Sequence, residues 1–195
     1  MTKGSYTENA GHVKGATACL RLENRLFDRK LPSFYTVVMD SSLLDIFTDA
    51  AKEVFKEIGF DALDFTETNG KGAGSEIIAN VGITGDLQGY LMIQADLPSA
   101  CNFVSKMLSN MEVEPEEEGF SQFHKEAIGE IVNQVSGRSV MNLSGREIDC
   151  NITPPTILTG SSMAYNVSNL DHARWSDITG SFGTLSLFVG VKKIR

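Results

Sequence analysis

Two stretches of this chain repeat one another. Ile83-Thr84-Gly85-Asp86-Leu87-Gln88-Gly89-Tyr90-Leu91 and Ile178-Thr179-Gly180-Ser181-Phe182-Gly183-Thr184-Leu185 each read as a strand, a glycine turn and a returning strand. The helical segments ahead of them also align. Glu53-Val54-Phe55-Lys56-Glu57-Ile58 matches Glu130-Ile131-Val132-Asn133-Gln134-Val135 in acid, apolar pair, polar residue and final apolar residue. The repeat limits the fold to two related halves, each a helix plus an antiparallel hairpin.

The remaining signals fit this frame. A helix starts in Met39-Asp40-Ser41-Ser42, with Ser42-x-x-Asp45 as its cap, shows one apolar face in Ile46, Phe47, Ala50, Val54, Phe55 and Ile58, and stops at Gly59. Strand patterns over 60–65, 75–84 and 88–95, with a glycine-rich turn at 69–74 and a tight one at Gly85-Asp86, predict a β-meander. Pro98 opens a second helix carrying Ala100, Phe103, Val104, Met107, Leu108 and Met111, and a long helix runs from Ser121 to Leu143. Strands follow over 147–153, 156–167 and 182–193. Helix, strands, helices, strands is the order of an α+β fold with long helices packed on a β-sheet.

Several function classes drop out. A net charge of −8 and the lack of a basic stripe argue against nucleic acid. No run of about 18 apolar residues or signal-like start is present, so no membrane role and a cytoplasmic location are expected. Cys19, Cys101 and Cys150 have neither disulfide-framework nor zinc spacing. Gly70-Lys71-Gly72 lacks the Walker spacing, and the acid run Glu112, Glu114, Glu116, Glu117, Glu118 fits the approach to a helix N-terminus. Residues 1–38 have no sustained period, and a domain over 39–195 is expected after a poorly ordered N-terminal extension; an over-called translation start gives the same pattern.

The long helix carries the chemistry. At about 100° per residue, Ala127, Ile128, Ile131, Val132 and Val135 fall within roughly 140°, whereas Glu126, Glu130, Asn133 and Gly137 fall within roughly 60° on the opposite side. The second group forms an outward stripe. Gly129 and Gly137 flank it, although glycine costs roughly 1 kcal/mol inside a helix relative to alanine. Bare backbone there is expected to admit a partner surface, with Glu126, Gly129 and Gly137 touching it. His124 is expected to be structural or solvent-exposed.

Glu130-Ile-Val-Asn133, then Gln-Val-Ser-Gly137-Arg, then Ile148 to Gly160 with Pro154-Pro155-Thr156 resemble the pattern of the CheC/CheX/FliY phosphatase family. Element order extends the likeness over residues 42 to 194. Glu126 stands where family members often carry Asp or Ser, and the proline falls one or two residues nearer Asn133 than usual. Lys56 replaces the amide in the first helix, which, with no FliN-like tail, points to the CheX branch rather than to a switch component like FliY. The resemblance implies hydrolysis of the aspartyl phosphate of a CheY-like response regulator. Asn133 would orient the attacking water and Glu130 would dock on the regulator's lysine, possibilities of Thr156, Gly160 and Ser161 lining the rim being left open. It also implies no cofactor or metal of the chain's own, Mg²⁺ on the partner, and a homodimer joined through edge strands. The alternative is a non-catalytic CheX-like module binding a response regulator or kinase.

Overall fold

The computed structural model describes residues 41–69, 74–113, 119–165 and 168–194. The expected extension over 1–38, Gly70-Lys71-Gly72 of the glycine-rich turn, and Glu114, Glu116, Glu117 and Glu118 lie outside the described residues.

The elements in chain order are α1 (Ser41–Glu57), β1 (Asp64–Thr68), β2 (Ser75–Gly85), β3 (Leu87–Ala95), α2 (Leu97–Asn110), α3 (Gln122–Ser144), β4 (Cys150–Ile152), β5 (Thr156–Met163), β6 (His172–Gly180) and β7 (Gly183–Lys193). The strands form one antiparallel sheet in the order β1-β6-β7-β3-β2-β4, with β5 also paired to β2. This is the expected α+β class.

The repeat is visible in the pairing. The hairpins β2–β3 and β6–β7 meet where β3 pairs with β7, and each half sends an edge strand to the other half's hairpin. Phe65 of β1 pairs with Ile178, and Ile152 of β4 pairs with Ile83, the residue that matches Ile178 in the repeat. The expected meander is thereby corrected. β1 lies at the far edge beside β6, not next to β2, and a distant partner of this kind leaves no local signal.

Alternation along the strands separates two faces. Ile77, Ala79, Val81 and Ile83 of β2, Leu91 and Ile93 of β3, Ile178 of β6 and Leu187, Val189 and Val191 of β7 meet the helices in the main core. Ile78, Met92 and Phe188 belong to a smaller cluster with Trp175, whose ring centre is 4.8 Å from that of Phe188.

The helix side is held by aromatics. Phe60 stacks on Phe103 of α2 at 5.2 Å and 14°, and both meet Phe182 edge-on at the β6–β7 turn, while Phe55 of α1 lies 5.5 Å from Phe103. This explains why the strand expected at 60–65 begins only at Asp64: Phe60 is drawn into the core immediately after Gly59, whose φ of +88° ends α1. Ser42 lies inside α1 rather than capping it, and Met111, past the end of α2, is 57% exposed. Asp96 caps α2 by accepting from the Ser99 N–H at 2.7 Å. Pro154 and Pro155, lacking N–H donors, separate β4 from β5.

Phe103→Ala removes the ring shared by three others and leaves a cavity. It is expected to cost about 3–5 kcal/mol, read from the urea midpoint at unchanged slope.

Candidate functional site

α3 begins at Ser121, where His124 takes the place that Glu or Gln holds in an ordinary capping box. Ser121 N–H donates to His124 Nδ1 at 3.3 Å, and the Ser121 hydroxyl lies 3.0 Å from the same nitrogen. The ring is buried beside Phe120 and Phe123. His124 therefore serves the helix start.

Beyond this cap the apolar seam does what its spacing requires. Ile128, Ile131, Val132, Val135 and Leu143 are buried, each worth about 1.5–3 kcal/mol relative to exposure. Ser136 and Ser139 on the same side donate to the carbonyls of Val132 and Val135, both at 2.7 Å, so the buried hydroxyls are satisfied within the helix.

The opposite side carries the stripe. Glu126 and Glu130 are exposed, and Asn133 and Gly137 are half-buried. Gln122 donates to Glu126 at 3.0 Å, and Gln134 Nε2 donates to Glu130 Oε1 at 2.9 Å. The Gln134 contact holds one carboxylate oxygen of Glu130 without neutralising it. Among the described residues neither a salt bridge to Glu130 nor a side-chain hydrogen bond to Asn133 is found. The helix thus presents a charged acceptor and, one turn later, an unengaged amide with two donors and an acceptor.

The two glycines have different surroundings. Gly137 has open space where a Cβ would stand. Gly129 is buried, and a Cβ there would lie 2.8 Å from Ile157 Cδ1 and 4.0 Å from Pro155 Cγ. The bare backbone admits this chain's own β5, which crosses α3 beside the stripe. β5 also bounds an open cleft of about 600 Å³ at the start of α3, with Thr159, Gly160 and Ser161 facing Phe120, Lys125 and Leu97.

Two further side chains stand near the stripe. Gln134 was discoverable, since it stands one turn after Glu130. Arg138 was not, because its partners are on α1: Nη1 donates to Glu53 at 3.1 Å and Nη2 to Glu57 at 2.9 Å. The hydrogen bonds it donates to Glu57 and then to Glu53 raise the guanidinium above its ordinary pKa. Burial pushes the thiols of Cys101 and Cys150 up, and among the described residues no group of three or more His, Cys, Asp or Glu is arranged to hold a metal.

The contact over Gly129 makes its own prediction. Gly129→Ala is expected to gain about 1 kcal/mol of stability in an Ile157→Ala background and to lose that gain when Ile157 is present, as measured by chemical denaturation in a double-mutant cycle.

The chain is 33% identical over 89 residues to the CheY-P phosphatase CheX of Thermotoga maritima, an alignment covering 45% of this chain and 54% of that protein. It thus spans about half the length of that relative. Among solved structures, a CheC-like superfamily protein from Shewanella sp. PV-4 superposes with a TM-score of 0.68 at 17% identity, covering 79% of this chain and 99% of that one. The CheX-CheY-BeF₃-Mg²⁺ complex from Borrelia burgdorferi matches with a TM-score of 0.60 at 18% identity, covering 77% and 98%. At these identities the structures support the fold. No helix among the described residues is long and apolar enough to cross a membrane. The family model described as chemotaxis phosphatase CheX matches residues 77–174, half of the chain's length, and contains the Glu130 and Asn133 helix face; the chain belongs to the CheX family.

Proposed function

We propose that this protein hydrolyses the aspartyl phosphate of a CheY-like response regulator, with Asn133 orienting the attacking water and Glu130 docking on the regulator's active-site lysine. The observation that carries the reading is the outward pair itself. Glu130 and Asn133 stand one turn apart on a helix whose other face is sealed in the core, and no other side chain of the described chain claims the Asn133 amide. The named CheX relative and the CheX-CheY complex support the substrate class.

The chemistry asks little covalent work of the helper. Water attacks phosphorus in line with the bond to the aspartyl oxygen, that bond breaks, and inorganic phosphate leaves with the regulator's carboxylate restored. Asn133 is neutral, so it approaches a phosphoryl group without repulsion, and its amide oxygen accepts a hydrogen bond from the water while its NH₂ still donates. Mg²⁺ belongs to the regulator, where it offsets charge on the phosphoryl oxygens. Glu130 needs a cation opposite it. The regulator's lysine supplies one, giving a charge-assisted bond that sets the depth at which Asn133 enters. Glu126 extends the docking stripe, and Gly137 leaves room for the partner's surface.

The protein is further proposed to act in the cytoplasm as a homodimer. β1 and β5 have unpaired outer edges among the described residues, ready to accept a second chain. Sedimentation velocity at micromolar concentration is expected to give a dimer, and a monomer contradicts this part.

Asn133→Ala tests the chemistry. Acting on the transition state alone, it is expected to lower kcat by roughly 10²-fold or more with little change in regulator affinity. Glu130→Gln is expected to weaken binding more than it slows the bound step. If Asn133→Ala dephosphorylates the regulator as fast as wild type, the protein is a binding module and not an enzyme.

A further inference from the structure

The outward stripe of α3 runs beyond the pair that the proposed chemistry uses. At about 100° per residue, Phe123, seven residues before Glu130, and Met141, eleven after it, both come within about 20° of Glu130 around the helix axis. Burial agrees with this placement. Met141 is 71% exposed and Phe123 45%, the large exposed apolar side chains of α3. A single exposed methionine or phenylalanine on a surface means little. Two on one line with a polar pair call for a common reason.

The line is centred on the pair. At about 1.5 Å per residue it runs roughly 27 Å from Phe123 to Met141, with its midpoint between Glu130 and Asn133. A protein interface of ordinary size takes about 800 Å² from each partner, roughly 30 Å across and longer where it follows a helical ridge. A partner that receives Glu130 and Asn133 therefore covers Phe123 and Met141 as well. Gly137, between Asn133 and Met141, has open space where a Cβ would stand, so the approach along the helix is clear.

Charge on the same arc describes the partner. Glu126 and Glu130 lie on it, and the basic side chains of α3 do not: Arg138 is turned to Glu53 and Glu57 of α1, and Lys125 lines the cleft beside β5. Read along the helix, the arc is apolar, acidic, amide, apolar. Its complement is a pocket holding a cation, with apolar surface on either side.

We propose that Phe123 and Met141 are apolar anchors that hold a phosphorylated receiver domain with its active-site pocket over Glu130 and Asn133. The inference rests on the roles given above to those two residues. Neither anchor touches a reacting atom. The acids speed the encounter by attraction at a distance, and the anchors lengthen the life of the complex by apolar burial.

The test uses the full chain and a beryllofluoride-activated CheY-like receiver, whose binding needs no turnover. Met141→Gln and Phe123→Gln are each expected to weaken binding about tenfold, and the double variant about a hundredfold, since sites this far apart add. Dephosphorylation should show the same loss in KM, with kcat at saturating regulator within about twofold of wild type. Met141→Leu is expected to restore affinity. Tyr90→Gln, on the sheet face that carries Tyr165 and the smaller cluster, is expected to change neither quantity. Phe123 also meets His124 edge-on, so its variant is judged with a thermal melt, and Met141 decides the matter if that melt is lowered. Met141→Gln binding as tightly as wild type overturns the proposal, as does a loss confined to kcat or an equal loss in Tyr90→Gln. Conversion of a dimer to a monomer by Met141→Gln in sedimentation also overturns it, by giving the anchors to a second copy of this chain. A wild type that does not bind the activated receiver sinks the functional reading along with the anchors. Full activity in Asn133→Ala removes the catalytic reading alone, and the titration still decides the anchors.

Discussion

The site depends on the apolar seam of α3. Ile128, Ile131, Val132 and Val135 are committed to the core, and a helix that buries them has one rotation about its axis left to it. That rotation puts Glu130 and Asn133 outside. The pair needs no loop and no induced ordering, so the entropy of holding two side chains in register is largely met when the domain folds. Burying the seam and aiming the pair are the same event.

The sheet supplies the second constraint. Each half sends an edge strand to the other half's hairpin, and β4 and β5 thereby run back beside α3. Ile157 rests on the bare backbone at Gly129, so β5 walls one side of the outward stripe. Symmetry of the architecture does not carry over to charge. On α3 the exposed acid is held by a neutral amide, and on α1 it is bound by Arg138. A two-fold fold therefore carries two unlike charge patterns.

Local pattern made much of this legible. The 3.6-residue period alone separates seam from stripe on α3, and Gly59 and the Gly85 turn mark ends where the chain does end its elements. What failed was non-local. Nothing in 60–65 shows that Phe60 is drawn under Phe103 or that β1 belongs beside β6, because both depend on partners many residues away. The neighbour of Gly129 is equally invisible in the local pattern, since Ile157 stands on another element. Arg138 followed the motif closely, yet its meaning lay on α1.

The central claim is that an exposed amide on a rigid helix speeds the loss of phosphate from a regulator. The most direct measurement is the lifetime of a phosphorylated CheY-like receiver mixed with substoichiometric amounts of this protein. The account predicts that every regulator in the mixture loses its phosphate faster, with many turnovers per chain. A lifetime that is unchanged, or lengthened in proportion to the protein added, contradicts it.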